Sequence, residues 1–254
     1  MRLVCRFLAV TLMSLLVSVS AAAAELTIAA ASDLRFALDD VLAVFKASHP
    51  GHDINVIYGS SGRMTAQIIN GAPYDIFFSA DISFPERLQA EGMTATEPAV
   101  YALGRIVLWS SSIDASAMTL QDLLNDNVRR IAIAQPAHAP YGQRAQEAMM
   151  AAGVWQQVQS KLVFGENIAH AAQMTESGAA DVGIIALSLA LFPDLQERGY
   201  ALISDTMHQP LTQGFVVTKR GGDNALALQF ADFMATAAAH DIMITYGFVM
   251  PGQD

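Results

Sequence analysis

Leu26-Thr27-Ile28-Ala29-Ala30, Ile54-Asn55-Val56-Ile57-Tyr58 and Asp75-Ile76-Phe77-Phe78-Ser79 are three short apolar runs rich in β-branched and aromatic residues. Between the first two, Leu34, Ala37, Leu38, Val41, Leu42 and Phe45 recur at helical spacing, and His49-Pro50-Gly51 stops the helix. A shorter helix follows Gly59-Ser60-Ser61-Gly62 and ends at Gly71-Ala72-Pro73. The order is strand, helix, strand, helix, strand. Crossover helices join parallel strands, so residues 26–79 predict a largely parallel sheet covered on both faces.

The same alternation continues downstream. Strands are expected at Arg105–Trp109, Arg130–Ala134, Lys161–Phe164, Asp181–Ile185 and Phe215–Thr218. Thr119-Leu120-Gln121-Asp122 resembles a capping box opening a short helix. Helices are expected from about Tyr141 to Ala152, with Gly153 as the terminal glycine, and from Ile168 to Ser177. A long one follows from Asp223 to His240. No Gly/Ser- or Pro-rich linker separates two domains. Two α/β lobes joined by crossover strands are expected, with crossings near Leu103-Gly104 and Gln213-Gly214 and the final helix returning to the first lobe.

The chain begins with Arg2 and Arg6, an apolar run from Phe7 to Val17, and Ala21-Ala22-Ala23-Ala24, the pattern of a signal peptide cleaved before Glu25. Cleavage removes the single cysteine, Cys5, and with it any disulfide or thiolate site. The whole chain carries 14 Lys and Arg against 24 Asp and Glu. The leader holds two of those cations and no acid, so the formal charge of −10 becomes −12 in the remainder. Such a balance excludes a nucleic-acid partner, which wants a basic face.

Four places share one feature, in which a strand ends, small or hydroxyl residues follow and a helix begins. They are Ala30-Ala31-Ser32-Asp33, Gly59-Ser60-Ser61-Gly62, Ala139-Pro140-Tyr141-Gly142 and Glu166-Asn167-Ile168-Ala169. Free N–H groups at a helix start, together with the helix dipole, bind anions without any Lys or Arg. That reconciles an acidic chain with an anionic ligand. Singly, Ser32 or Ser61 reads as an N-cap, Tyr141 as a packing residue and Ile168 as merely apolar. Four such starts in two lobes point instead to a cleft for a tetrahedral oxyanion. Molybdate and sulfate carry no proton at neutral pH and need donors only, whereas phosphate retains one and benefits from an acceptor.

Ala29-Ala30-Ala31-Ser32, Tyr58-Gly59-Ser60-Ser61-Gly62 and the block Asn70-Gly71-Ala72-Pro73-Tyr74-Asp75-Ile76-Phe77-Phe78-Ser79-Ala80-Asp81 resemble the periplasmic molybdate-binding proteins of ABC transporters. The likeness runs through Gln135–Gly142, Ser177–Asp181 and Tyr246-Gly247-Phe248, and spans residues 25–250. It implies a two-lobed α/β periplasmic-binding-protein fold of class II, each lobe a mixed, mostly parallel sheet flanked by helices. Residues 25–104 plus 213–254 form one lobe and 105–212 the other. The resemblance implies a monomeric receptor, not an enzyme, that needs no cofactor. It captures molybdate or tungstate in the periplasm and delivers it to a membrane permease by cleft closure.

The resemblance places the ligand contacts at Ser32, Asp33, Ser61, Tyr141 and Ile168, the last through its backbone N–H, with no direct metal-cation ligand. A better-known branch takes a tyrosine hydroxyl from the position of Ala186; here Tyr141 supplies it from the opposite lobe. Asp33 stands where the family usually has an uncharged residue, and is read as a first-turn acid that points to solvent and offers only its N–H. Arg63 is read as a solvated helix residue, and a carboxylate acceptor at Asp33 as the sharper alternative. The competing functions are receptors for sulfate, phosphate, chromate or a ferric–anion pair, a sensor lobe that feeds no transporter, and a hydrolase of oxyanion esters. No Gly-x-Ser-x-Gly, His-Glu-x-x-His or Walker pattern supports the last.

Overall fold

A computed structural model describes residues 25–192, 195 and 199–252; the leader read at residues 1–24 lies outside them. Ten strands are described: β1 (Glu25–Ala31), β2 (Asp53–Gly59), β3 (Ile76–Ser79), β4 (Ala99–Gly104), β5 (Ile106–Trp109), β6 (Ile131–Ala134), β7 (Leu162–Gly165), β8 (Val182–Ala186), β9 (Tyr200–Leu202) and β10 (Leu211–Val217). The described helices are α1 (Arg35–Ser48), α2 (Ser61–Ile69), α3 (Ser83–Ala90), α4 (Pro140–Ala151), α5 (Trp155–Val158), α6 (Ile168–Glu176), α7 (Leu187–Ala190), α8 (Ala225–Phe233) and α9 (Ala237–Thr245).

The strands form two five-stranded sheets, ordered β2-β1-β3-β10-β4 and β7-β6-β8-β5-β9. In the first, β1 pairs in parallel with β2 and β3, and β10 runs antiparallel to β3 and β4. In the second, β6 is parallel to β7 and β8, whereas β5 is antiparallel to β8 and β9. Each sheet is therefore mixed, with a parallel half built by crossover helices. The chain leaves the first sheet at Arg105, between β4 and β5, and returns between β9 and β10.

The central strands β3, β5, β6 and β8 are buried along their whole length, as sheets covered on both faces require. α1 shows the other signature: Ala37, Leu38, Val41, Leu42 and Phe45 make one buried stripe. That stripe shares a core with Leu226, Phe230, Ala239 and Met243 of α8 and α9, so the C-terminal helices pack beside α1.

The long helix expected over 223–240 is two helices. The break falls at Met234-Ala235-Thr236, where the Thr236 hydroxyl accepts from Ala239 N–H and so caps a new helix. The expected capping box at Thr119 and Asp122 is present, but it opens a 3-10 turn, Leu120–Leu124. β4, β9, α3 and the short α5 and α7 are not among the elements the sequence pattern predicts. β4 and α3 carry Ala99, Val100, Glu86 and Arg87, whose patterns are weak as strand or helix signals.

Candidate functional site

The four strand-to-helix junctions meet. A 3-10 turn, Ser32–Leu34, leads from β1 straight into α1; α2 starts at Ser61 behind β2; α4 starts at Pro140; α6 starts at Ile168 behind β7. They lie at the carboxyl ends of their strands, where open α/β sheets bind ligands. Between them is a cleft with about 190 Å³ of space not filled by atoms, part of it open to solvent. Its lining is Ala31, Ser32, Asp33, Gly59, Ser60, Ser61, Ala80, Ala139, Pro140, Tyr141 and Ile168, which includes all five residues singled out from the sequence.

No Lys or Arg side chain is in that lining. The N–H groups of Ser61, Tyr141 and Ile168 fall in the first turn of their helices and have no acceptor within the helix. Pro140 at N1 costs nothing there, because its missing N–H would be unpaired anyway. Backbone dipoles at these helix starts contribute positive potential there. The two serine hydroxyls are held by acceptor bonds. Ser61 Oγ accepts from Ala80 N–H at 3.0 Å and Ser32 Oγ from Ala169 N–H at 3.2 Å, which leaves each hydroxyl proton for another acceptor.

Several contacts bridge the two sheets and shut the cleft. Gly62 N–H donates to His138 O at 3.0 Å, the Ser60 hydroxyl bonds His138 Nδ1 at 2.9 Å, and the Ser188 hydroxyl donates to Asp33 O at 2.8 Å. A Cβ at Gly62 would collide with the His138 backbone, so only glycine allows this approach. Burial, and next the Arg63 charge, lower the His138 pKa. Arg144 joins Asp81 across the cleft at 2.9 Å, with side chains only 9% and 17% exposed. It is anchored on its own side by Glu147 and by Pro210 O. Arg63 pairs with Glu166 at 3.3 Å, but both are more than half exposed.

Asp33 does not point to solvent as its place in the first turn had suggested; it is 1% exposed. Its Oδ2 accepts from the Tyr141 hydroxyl at 2.9 Å and from Gln213 Nε2 at 2.7 Å. Gln213 Oε1 in turn accepts from the Tyr101 hydroxyl at 2.5 Å. The β4–β10 register slips between Gln213 and Gly214, and such an irregularity re-aims the side chain beside it. Any Cβ at Gly104 would strike the Tyr141 hydroxyl and Gln213 Nε2, so glycine makes room for the network.

Burial pushes the Asp33 pKa up to about 6, against the lowering effect of the Gln213 and Tyr141 bonds. Burial, then the Asp33 charge, raises both phenols well above their ordinary value. The Tyr141 hydroxyl therefore serves Asp33 here. A carboxylate is a stronger acceptor than neutral groups, and it stands within reach.

The model of the bacterial extracellular solute-binding proteins matches residues 26–249. The chain belongs to that family. It is 33% identical to the molybdate-binding protein of Rhodobacter capsulatus, with 90% of each chain covered. The solved periplasmic molybdate-binding protein of Azotobacter vinelandii is 32% identical, with a TM-score of 0.82 over 89% of this chain and 99% of that one. The sulfate-binding protein SubI of Mycobacterium tuberculosis is 17% identical with a TM-score of 0.73, over 90% of this chain and 88% of that one, and shares the fold alone.

In this solute-binding protein, Gln213, Tyr101, Arg144 and Ser188 escaped the sequence reading. Gln213 and Tyr101 lie in strands, and Arg144 in a helix whose pattern gives no hint of burial. The one usable signal was the expected crossing at Gln213-Gly214, a polar residue followed by glycine before an apolar strand.

Proposed function

We propose that this chain captures molybdate, and tungstate with it, and delivers it to the membrane permease of an ABC transporter by closing its cleft. The observation that carries this reading is the meeting of four helix starts and two serine hydroxyls around one small cleft without a cationic side chain. The names of the relatives that cover nine-tenths of the chain support it. The N–H groups at Asp33, Ser61, Tyr141 and Ile168 and the hydroxyls of Ser32 and Ser61 receive the oxyanion. No bond is made or broken in the ligand and no cofactor is needed.

The division into lobes follows the crossings, residues 25–104 plus 213–254 against 105–212, with the hinge beside Gly104 and Gln213. Contacts from both lobes favour the closed state once the anion is bound. A rigid ring of donors discriminates by size, favouring the longer metal–oxygen bonds over those of sulfate. The protein acts as a monomer in the periplasm after residues 1–24 are removed.

Calorimetry with molybdate, tungstate, sulfate, hydrogen phosphate and chromate tests the reading. Molybdate and tungstate are expected to bind far more tightly than the others. Sulfate binding equal to that of molybdate would overturn it.

A further inference from the structure

Oδ1 of Asp33 is buried and meets no partner within strict hydrogen-bond geometry, while Oδ2 has two; the backbone N–H groups of Asp33 and Leu34, in the same turn, lie close enough to the carboxyl to favour its ionised form. The same residue lines the cleft in which the proposed ligand sits. Asp33 is buried in that lining, so its ionised form would bring a second negative charge to the site of a dianion where no cationic side chain is present, and neighbouring like charges disfavour each other. A single proton between Oδ1 and an oxyanion oxygen removes the conflict and gives Oδ1 a partner.

We infer that Asp33 couples oxyanion capture to a proton: one proton enters from solvent as the cleft closes, is held between Asp33 Oδ1 and an oxygen of the bound dianion, and returns to solvent on release. The inference rests on the function proposed above. Its proton count is the same whether the O–H bond belongs to Asp33 or to the ligand.

The surroundings leave Asp33 as the group that answers. β4 presents Tyr101, α4 Tyr141, β10 Gln213 and α7 Ser188. α6 meets this turn with Ile168 and Ala169, and its His170 is exposed. Both phenols stay protonated, since burial raises them. His138 is bonded to Ser60, the Arg63–Glu166 pair sits at the exposed rim, and Arg144 is bound to Asp81 and Glu147. Asp33 has an ordinary affinity for protons in an open, solvated cleft, and burial already raises it in the closed one.

The test is titration calorimetry of molybdate in buffers of different ionisation enthalpy, at several pH values, with the wild type and Asp33→Asn. The wild type is expected to take up about one proton per anion, and its affinity to fall about tenfold per pH unit between roughly pH 6 and 8. Asp33→Asn is expected to take up none and to show a flat profile. In case Asn disturbs the fold, Tyr141→Phe gives a second reading. It removes a closed-state bond that favours the ionised carboxylate, so the upper limit of the fall in affinity moves to higher pH, while its onset, set by the open cleft, stays in place. Tight, pH-independent molybdate binding by the wild type with no proton uptake overturns this inference alone, as does an unshifted Tyr141→Phe profile. Absence of molybdate binding in every chain at every pH overturns the proposed function and the inference with it.

Discussion

The Tyr141 hydroxyl donates to Asp33 Oδ2 at 2.9 Å, from the first turn of α4 to the first turn after β1, and so ties the two sheets together at the floor of the cleft. Gln213 Nε2 reaches both atoms, at 2.7 Å from Asp33 Oδ2 and 2.9 Å from the Tyr141 hydroxyl. Residues from both sides of the cleft thus take part in burying Asp33.

That burial has a measurable cost. Asp33 is raised from 3.8 to about 6 in the closed form, so the folded protein holds a proton that the unfolded chain gives up. For an acid so raised, the penalty is absent below about pH 4, grows as pH rises towards 6, and is constant above, at about 3 kcal/mol at most. For the ligand-free chain with its cleft closed, as in this structure, Asp33→Asn is expected to melt higher than the wild type at pH 7.5, less what the new amide loses by lacking an acceptor; opening of the cleft reduces that margin. The margin should shrink towards pH 4. Thermal unfolding of both chains at the two pH values checks it, and a margin that does not change with pH counts against it.

Ser61 is fully buried and its Oγ accepts from Ala80 N–H. Ser61→Ala removes a hydroxyl donor from the cleft and strips Ala80 N–H of its acceptor. Molybdate affinity is expected to fall by about 1–3 kcal/mol. Calorimetry at fixed pH reads it, and an unchanged dissociation constant would remove Ser61 from the site.

Arg144 and Asp81 form the most buried of the ion pairs that cross the cleft, whereas Arg63 and Glu166 form an exposed one. Asp81→Asn leaves the guanidinium short of one charged partner in the closed state only. Affinity should drop by about 1.5–3 kcal/mol, through faster release. Arg63→Ala should change it by about 0.5 kcal/mol or less, and that small effect should vanish in high salt. Stopped-flow release rates for the two variants distinguish these outcomes; equal effects would contradict the assignment.

Gly104→Ala places a methyl group where the Tyr141 hydroxyl and Gln213 amide now sit. Closure should be hindered by about 1–3 kcal/mol, the scale of overpacking. Small-angle scattering with saturating molybdate is expected to show a more open particle than the wild type. A scattering profile identical to that of the closed wild type would show that the network can move aside.

The local signals in the sequence sufficed for the helix starts and most strands, because those depend on near-neighbour patterns. Leu34 to Phe45 declares a helix by spacing, and Asn167 marks the start of its helix by residue type; Ser61, read as an N-cap, is the first residue of its helix, one place after the N-cap Ser60. The four junctions that line the cleft were readable on that basis. The long helix over 223–240 was misread for the converse reason: apolar spacing continues through Thr236, while a side-chain cap chooses a break there.

What the tertiary structure alone decided is the state of Asp33. A carboxylate after Ser32 looks solvated in any local window, since the first turn of a helix favours an acid. It is buried because Tyr141, 108 positions later, and Gln213, 180 positions later, arrive from other elements and bond it. Long-range burial sets the electrostatics of a charged group, and nothing within a few residues of Asp33 encodes it.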